Sequence, residues 1–210
     1  MTAKAPPPPE LRGQPLAGPY PNIGAFCEAR HQQGCYPNEF FGDVHAVLEK
    51  VRPPWRSVRL FATGDQARQT YYLALETQRG FYVQEIGDSN NDLALVEFAQ
   101  RDDAGTPGPV VLRLGTATVL TPNQSLDQPA RRCVDHLAVC GLGPSGGPSC
   151  VTLVAAVASC KDHDRVTKSA PLAWDWEVKL KLWPGEAEFE VRGGKDAPAK
   201  LAGRHRLVFP

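Results

Sequence analysis

A chain of 210 residues, 42% hydrophobic and 22% charged, can bury one sizeable core and lacks the composition of a disordered segment. Its 23 Lys and Arg balance 23 Asp and Glu. That balance argues against nucleic-acid and anionic-membrane partners, and no run approaches the roughly 18 apolar residues of a spanning helix.

Residues 1–22, MTAKAPPPPELRGQPLAGPYPN, are rich in proline and glycine and show no apolar period. They are expected to form a mobile or extended leader, and they lack the apolar core of a signal peptide. Such a proline run suits a tether between a cleavage or lipid-attachment site and one folded domain, here residues 23–210. In residues 38–50, Phe41, Val44, His45 and Leu48 recur at three- and four-residue steps. Asn38 can cap the first turn and Pro53-Pro54 forbid continuation, so one short N-terminal helix is predicted there.

Beyond Trp55 the pattern is that of strands. Val58, Leu60 and Ala62 alternate with Arg59 and Phe61. Residues 70–76 and 81–86 flank Thr77-Gln78-Arg79-Gly80, a hairpin-length connection with glycine at its end. Segments 93–98 and 110–120 follow, then 133–140 and 150–160 around the Gly/Pro/Ser-rich loop 141–149. In 173–182, Trp174, Trp176, Val178, Leu180 and Leu182 share one face, with Asp175, Glu177, Lys179 and Lys181 on the other. Ala187, Phe189 and Val191 continue the buried face, and 204–209 ends the series. About nine to ten short strands joined by hairpin-length loops predict an all-β fold, an antiparallel β-sandwich or barrel.

Six cysteines, an even number, point to disulfides and hence to a secreted or periplasmic location. The expected pairing is nested, Cys140 with Cys150 and Cys133 with Cys160, with Cys27–Cys35 as a local bridge. The two nested pairs are three residues out of common register, so a bulge or irregular strand end is expected between them.

Metal sites compete with this reading. Cys27-His31-Cys35, Cys133-His136-Cys140 and Cys160-His163 set histidine beside cysteine, but without the C-x2–4-C and H-x3–5-H pairs of structural zinc. If the 133–160 hairpin forms, His136 could approach His163, with Asp162 and Asp164 nearby, as a metal or acid–base cluster. Residues 88–92, DSNND, are oxygen-rich but lack the order of an EF-hand loop. Zinc and calcium are therefore minority alternatives to a domain without cofactor. No G-x-S-x-G, H-E-x-x-H or phosphate-binding loop occurs, and the glycine-rich 141–147 run lacks the Lys-Ser/Thr ending. Trp55 and Trp183, outside the alternating faces, are the aromatic side chains most available for a ligand.

The expected function is that of an extracytoplasmic binding or interaction domain, not an enzyme, that engages a protein or an envelope polymer. A metal-dependent hydrolase built on His136, Asp162, His163 and Asp164 is one alternative. A purely structural envelope component is another.

Overall fold

Alternation sends successive side chains of a strand to opposite faces, and in this chain both faces of the central strands are covered. The computed structural model describes residues 6–30, 47–48, 51–65, 68–87, 91–100, 108–119, 131–160 and 174–210. In chain order the strands are β1 (Glu10–Arg12), β2 (Gln14–Pro15), β3 (Ala17–Tyr20), β4 (Val47–Leu48), β5 (Trp55–Asp65), β6 (Arg68–Thr77) and β7 (Gly80–Gly87). They continue with β8 (Asn91–Gln100), β9 (Val110–Val119), β10 (Arg131–Leu142), β11 (Pro148–Cys160), β12 (Trp176–Trp183), β13 (Glu186–Gly193) and β14 (Gly203–Val208). Helix α1 (Ile23–Ala29) lies between β3 and β4.

One sheet runs β1-β14-β13-β12-β11-β10-β9-β8 with β2 beside β11, and the other runs β3-β7-β6-β5-β4. The fold is all-β, and neither sheet closes, so the barrel alternative is not realised. The segments expected as strands fall within β5–β14. The four additional strands, β1–β4, are two to four residues long and too short to show a period.

Strands β9 and β10 explain why the sequence is apolar without a break at 137–142. Val110, Leu112, Leu114, Ala138 and Cys140 pack with Cys150 against Val58, Leu60, Leu73, Leu75 and Tyr82 of the five-stranded sheet. Leu137, Val139 and Val151 point the other way, into a second cluster with Trp176, Val178, Phe189 and Leu207. The far face of the five-stranded sheet carries Phe61, Tyr72, Ala74, Phe81 and Val83, covered by Ile23, Phe26 and Cys27 of α1. Phe26 anchors that cover, with its ring 5.1 Å from Tyr72 and 5.8 Å from Phe61. Adjacent rings Tyr71-Tyr72 and Phe81-Tyr82 are therefore buried at both members, one towards each face of this sheet.

The segment expected as a leader is extended, but it is paired. Glu10–Arg12 runs parallel to β14, Gln14 and Pro15 pair with Cys150 and Ser149, and Ala17 and Tyr20 pair with Val83 and Phe81. It thus straps the two sheets together. Helix α1 starts at Asn22, whose Oδ1 accepts a hydrogen bond from the Ala25 amide at 2.8 Å. The helix expected over 38–50 falls mostly outside the described residues, and its Val47 and Leu48 pair with Arg59 and Val58 as a strand.

Cys140 stands directly opposite Cys150 and is disulfide-bonded to it, both side chains fully buried. Cys27 and Cys133 are also disulfide-bonded, with partners outside the described side chains. A bulge does occur in the β10–β11 ladder, between Asp135 and His136, but it shifts the register by one residue only. Cys133 consequently faces Ala158, and Cys160 faces Arg131.

Candidate functional site

Among the described residues, those singled out from the sequence lie in separate surroundings. Trp55 is 3% exposed, inside the core between the sheets, and offers no ring to a ligand. Trp183 is half-buried, with the Arg204 guanidinium 4.8 Å over its ring. His136 lies on β10 opposite Leu114 and Val154, and burial holds its imidazole pKa below the ordinary value. Asp162, His163 and Asp164 lie outside the described residues, as do His31, Cys35 and 88–90. Among the described residues no group of three His, Cys, Asp or Glu is placed to hold a metal ion.

The glycine-rich 141–147 run has a structural explanation. A Cβ on Gly141 or Gly143 would overlap Phe209 and Pro210, so glycine is what lets the last residues pass beneath this turn. Gly143 and Gly146 close the turn through backbone hydrogen bonds, and Arg79 of the β6–β7 turn donates to the Ser145 carbonyl at 2.6 Å. The loop is a clasp between hairpins, with the Gly143, Gly146 and Gly147 amides bonded within the turn itself.

Next to His136, Asp135 is 2% exposed and accepts a hydrogen bond from Arg113 Nε at 2.8 Å. Burial pushes its carboxyl above the ordinary carboxylate range, against the lowering effect of the Arg113 charge. The pair is satisfied internally, and nothing places a substrate beside it.

Among the described residues a groove opens elsewhere, where β11 and β12 part. They share two register pairs among the described residues, Ala156 with Glu177 and Val157 with Trp176, whereas β12 pairs with β13 along its whole length. At its other end β11 is held by β2 through Ser149 and Cys150. Between these anchors is a groove of about 470 Å³, lined by Leu153, Val154, Val157, Trp176, Leu11 and Leu201. Asp196, Pro198, Lys200 and His205 complete the lining. The volume falls within the roughly 300–1,000 Å³ of small-ligand sites. Val154 is 40% exposed, the one large apolar side chain among the described residues to reach that level.

His205 is the polar feature of this groove. It is 5% exposed, and its Nε2 is 2.9 Å from the Leu201 carbonyl, which can only accept, so Nε2 carries the proton. Phe189 meets the ring edge-on at 5.6 Å. In the neutral ring Nδ1 is then a bare acceptor, buried and without a partner. The alternation of Arg204, His205, Arg206 and Leu207 assigns His205 to the covered face, a signal present in the sequence. Leu11 and Leu201, isolated apolar residues in polar or proline-rich surroundings, carry no such signal. Comparison with family models, curated proteins and solved structures finds no match for this chain.

Proposed function

We propose that this chain is a non-enzymatic, extracytoplasmic binding domain, secreted or periplasmic, that receives its ligand in the groove between β11 and β12. The groove is the observation that carries the reading: an open apolar concavity on a frame held from both ends, with charged side chains only at Asp196 and Lys200. The two facing sheets act as a sandwich scaffold, and the buried Cys140–Cys150 bridge supports an oxidising compartment. The ligand group is one presented by a protein or an envelope polymer.

Amide NMR with a panel of apolar and amphipathic fragments tests the binding assignment. Its largest shifts should fall at Val154, Val157, Trp176 and Leu201, and hits that cluster on the α1 side of the molecule would remove the groove as the site. A thiol titration of the denatured, unreduced protein tests the compartment. Essentially no reactive thiol is expected, whereas four to six per chain of six cysteines would overturn the exported location.

A further inference from the structure

We infer that the groove selects a compact apolar group carrying one N–H or O–H donor, and that His205 Nδ1 is the acceptor that recognises it. This rests on the groove being the binding site. Two independent features converge: an apolar concavity, and one nine-tenths-buried side chain in its lining with an unpartnered acceptor. The Leu201 carbonyl fixes which nitrogen is bare, because Nε2 must donate to it.

A buried acceptor without a partner is destabilising, and native proteins rarely keep one. A ligand donor entering among Leu11, Leu153, Val157 and Trp176 brings its own apolar surface and completes this one hydrogen bond. The chemistry is that of a phenol, an indole or an alkyl alcohol. A carboxylate is disfavoured twice, since it has no proton to give to Nδ1 and would meet Asp196 at the rim. An ether or a plain hydrocarbon of the same shape leaves Nδ1 as it is.

The test compares 4-propylphenol with 4-propylanisole by NMR titration of the intact chain. The phenol should bind about tenfold more tightly, the yield of one ordinary hydrogen bond. His205→Phe, which keeps the ring contact with Phe189, should erase that preference, and Val154→Arg, at an exposed position, should abolish both titrations. Should His205→Phe not fold, the imidazole nitrogens of the unaltered protein give the answer: the Nδ1 resonance should move upfield with the phenol and stay with the ether. Equal affinities for the two probes, or an unmoved Nδ1, would overturn the role of His205 while leaving the groove as a site. Neither probe shifting groove residues would overturn both.

Discussion

Replacing Arg113 with methionine isolates the electrostatics of the central sheet. Asp135 is 2% exposed on β10, and the Arg113 side chain that donates to it at 2.8 Å is 24% exposed. Removing one partner of a buried pair costs about 3–5 kcal/mol, because the remaining charge is left uncompensated. Solvent already screens part of this attraction at Arg113, so about 2–3 kcal/mol is expected at neutral pH. The deficit should depend on pH in a definite direction. Burial already raises the Asp135 carboxyl against Arg113, and loss of the guanidinium raises it further. A carboxyl with a raised folded-state pKa contributes stability that is fully present below its unfolded pKa and is lost as pH rises through the folded one. The deficit of Arg113→Met should therefore be largest at neutral pH and shrink in mild acid, where Asp135 is protonated. Urea unfolding followed by tryptophan fluorescence at both pH values measures it, and adding Asp135→Leu should recover most of the loss. A deficit of equal size at both pH values, or below about 0.5 kcal/mol at neutral pH, would refute this account of the pair.

His136 should act with the opposite sign. Its depressed pKa gives stability that is present above the unfolded value of 6.5 and is lost as pH falls through the folded value. His136→Leu should flatten the decline of Tm below that pH, and an unchanged slope would count against burial as the cause. Replacing Cys140 and Cys150 together by alanine opens a link with a sequence separation of 10. The expected loss is about 3 kcal/mol, read from the denaturation midpoint; a loss under about 1 kcal/mol would mean that the unfolded chain is already constrained there. Phe26→Ala should cost about 3–4 kcal/mol and raise amide exchange in β6 and β7, since Phe26 covers Phe61 and Tyr72. Near-wild-type stability would show that α1 is not what buries that face.

Long strands were legible because alternation accumulates over their length. In β12 and β13 every second residue is apolar, and Trp176, Val178, Ala187 and Phe189 are buried as that pattern requires. Helix α1 was not legible: it has seven residues, of which Ile23, Phe26 and Cys27 are buried, too short a run to establish a period beside a proline-rich segment. Its Asn22 cap was the available signal. The strap formed by β1–β3 is fixed by pairing with β14, β11 and β7, strands far away in the sequence. Local composition reports only that such a segment is extended.

The groove was hidden for a related reason, and a clue to it was read for another purpose. Its lining comes from Leu11, from 153–157, from Trp176 and from 196–205, and each apolar member looks like ordinary core when taken alone. The register mismatch among the cysteines, however, already required an irregularity somewhere between Cys133 and Cys160. In the fold Asp135 faces Ala156 and His136 faces Val154, so Ala155 is the extra residue. Bulges bend a strand and re-aim its side chains, often beside functional sites. This one sits between Val154 and Val157, just ahead of the two-residue contact with β12. The irregularity that sets Cys133 opposite Ala158 thus lies at the point where β11 parts from its neighbour. Deleting Ala155 should restore an unbroken β10–β11 ladder and alter the groove while leaving the Cys140–Cys150 pair opposed. Phenol binding lost with the bridge intact would tie the site to that single residue, and binding retained would separate the groove from the bulge.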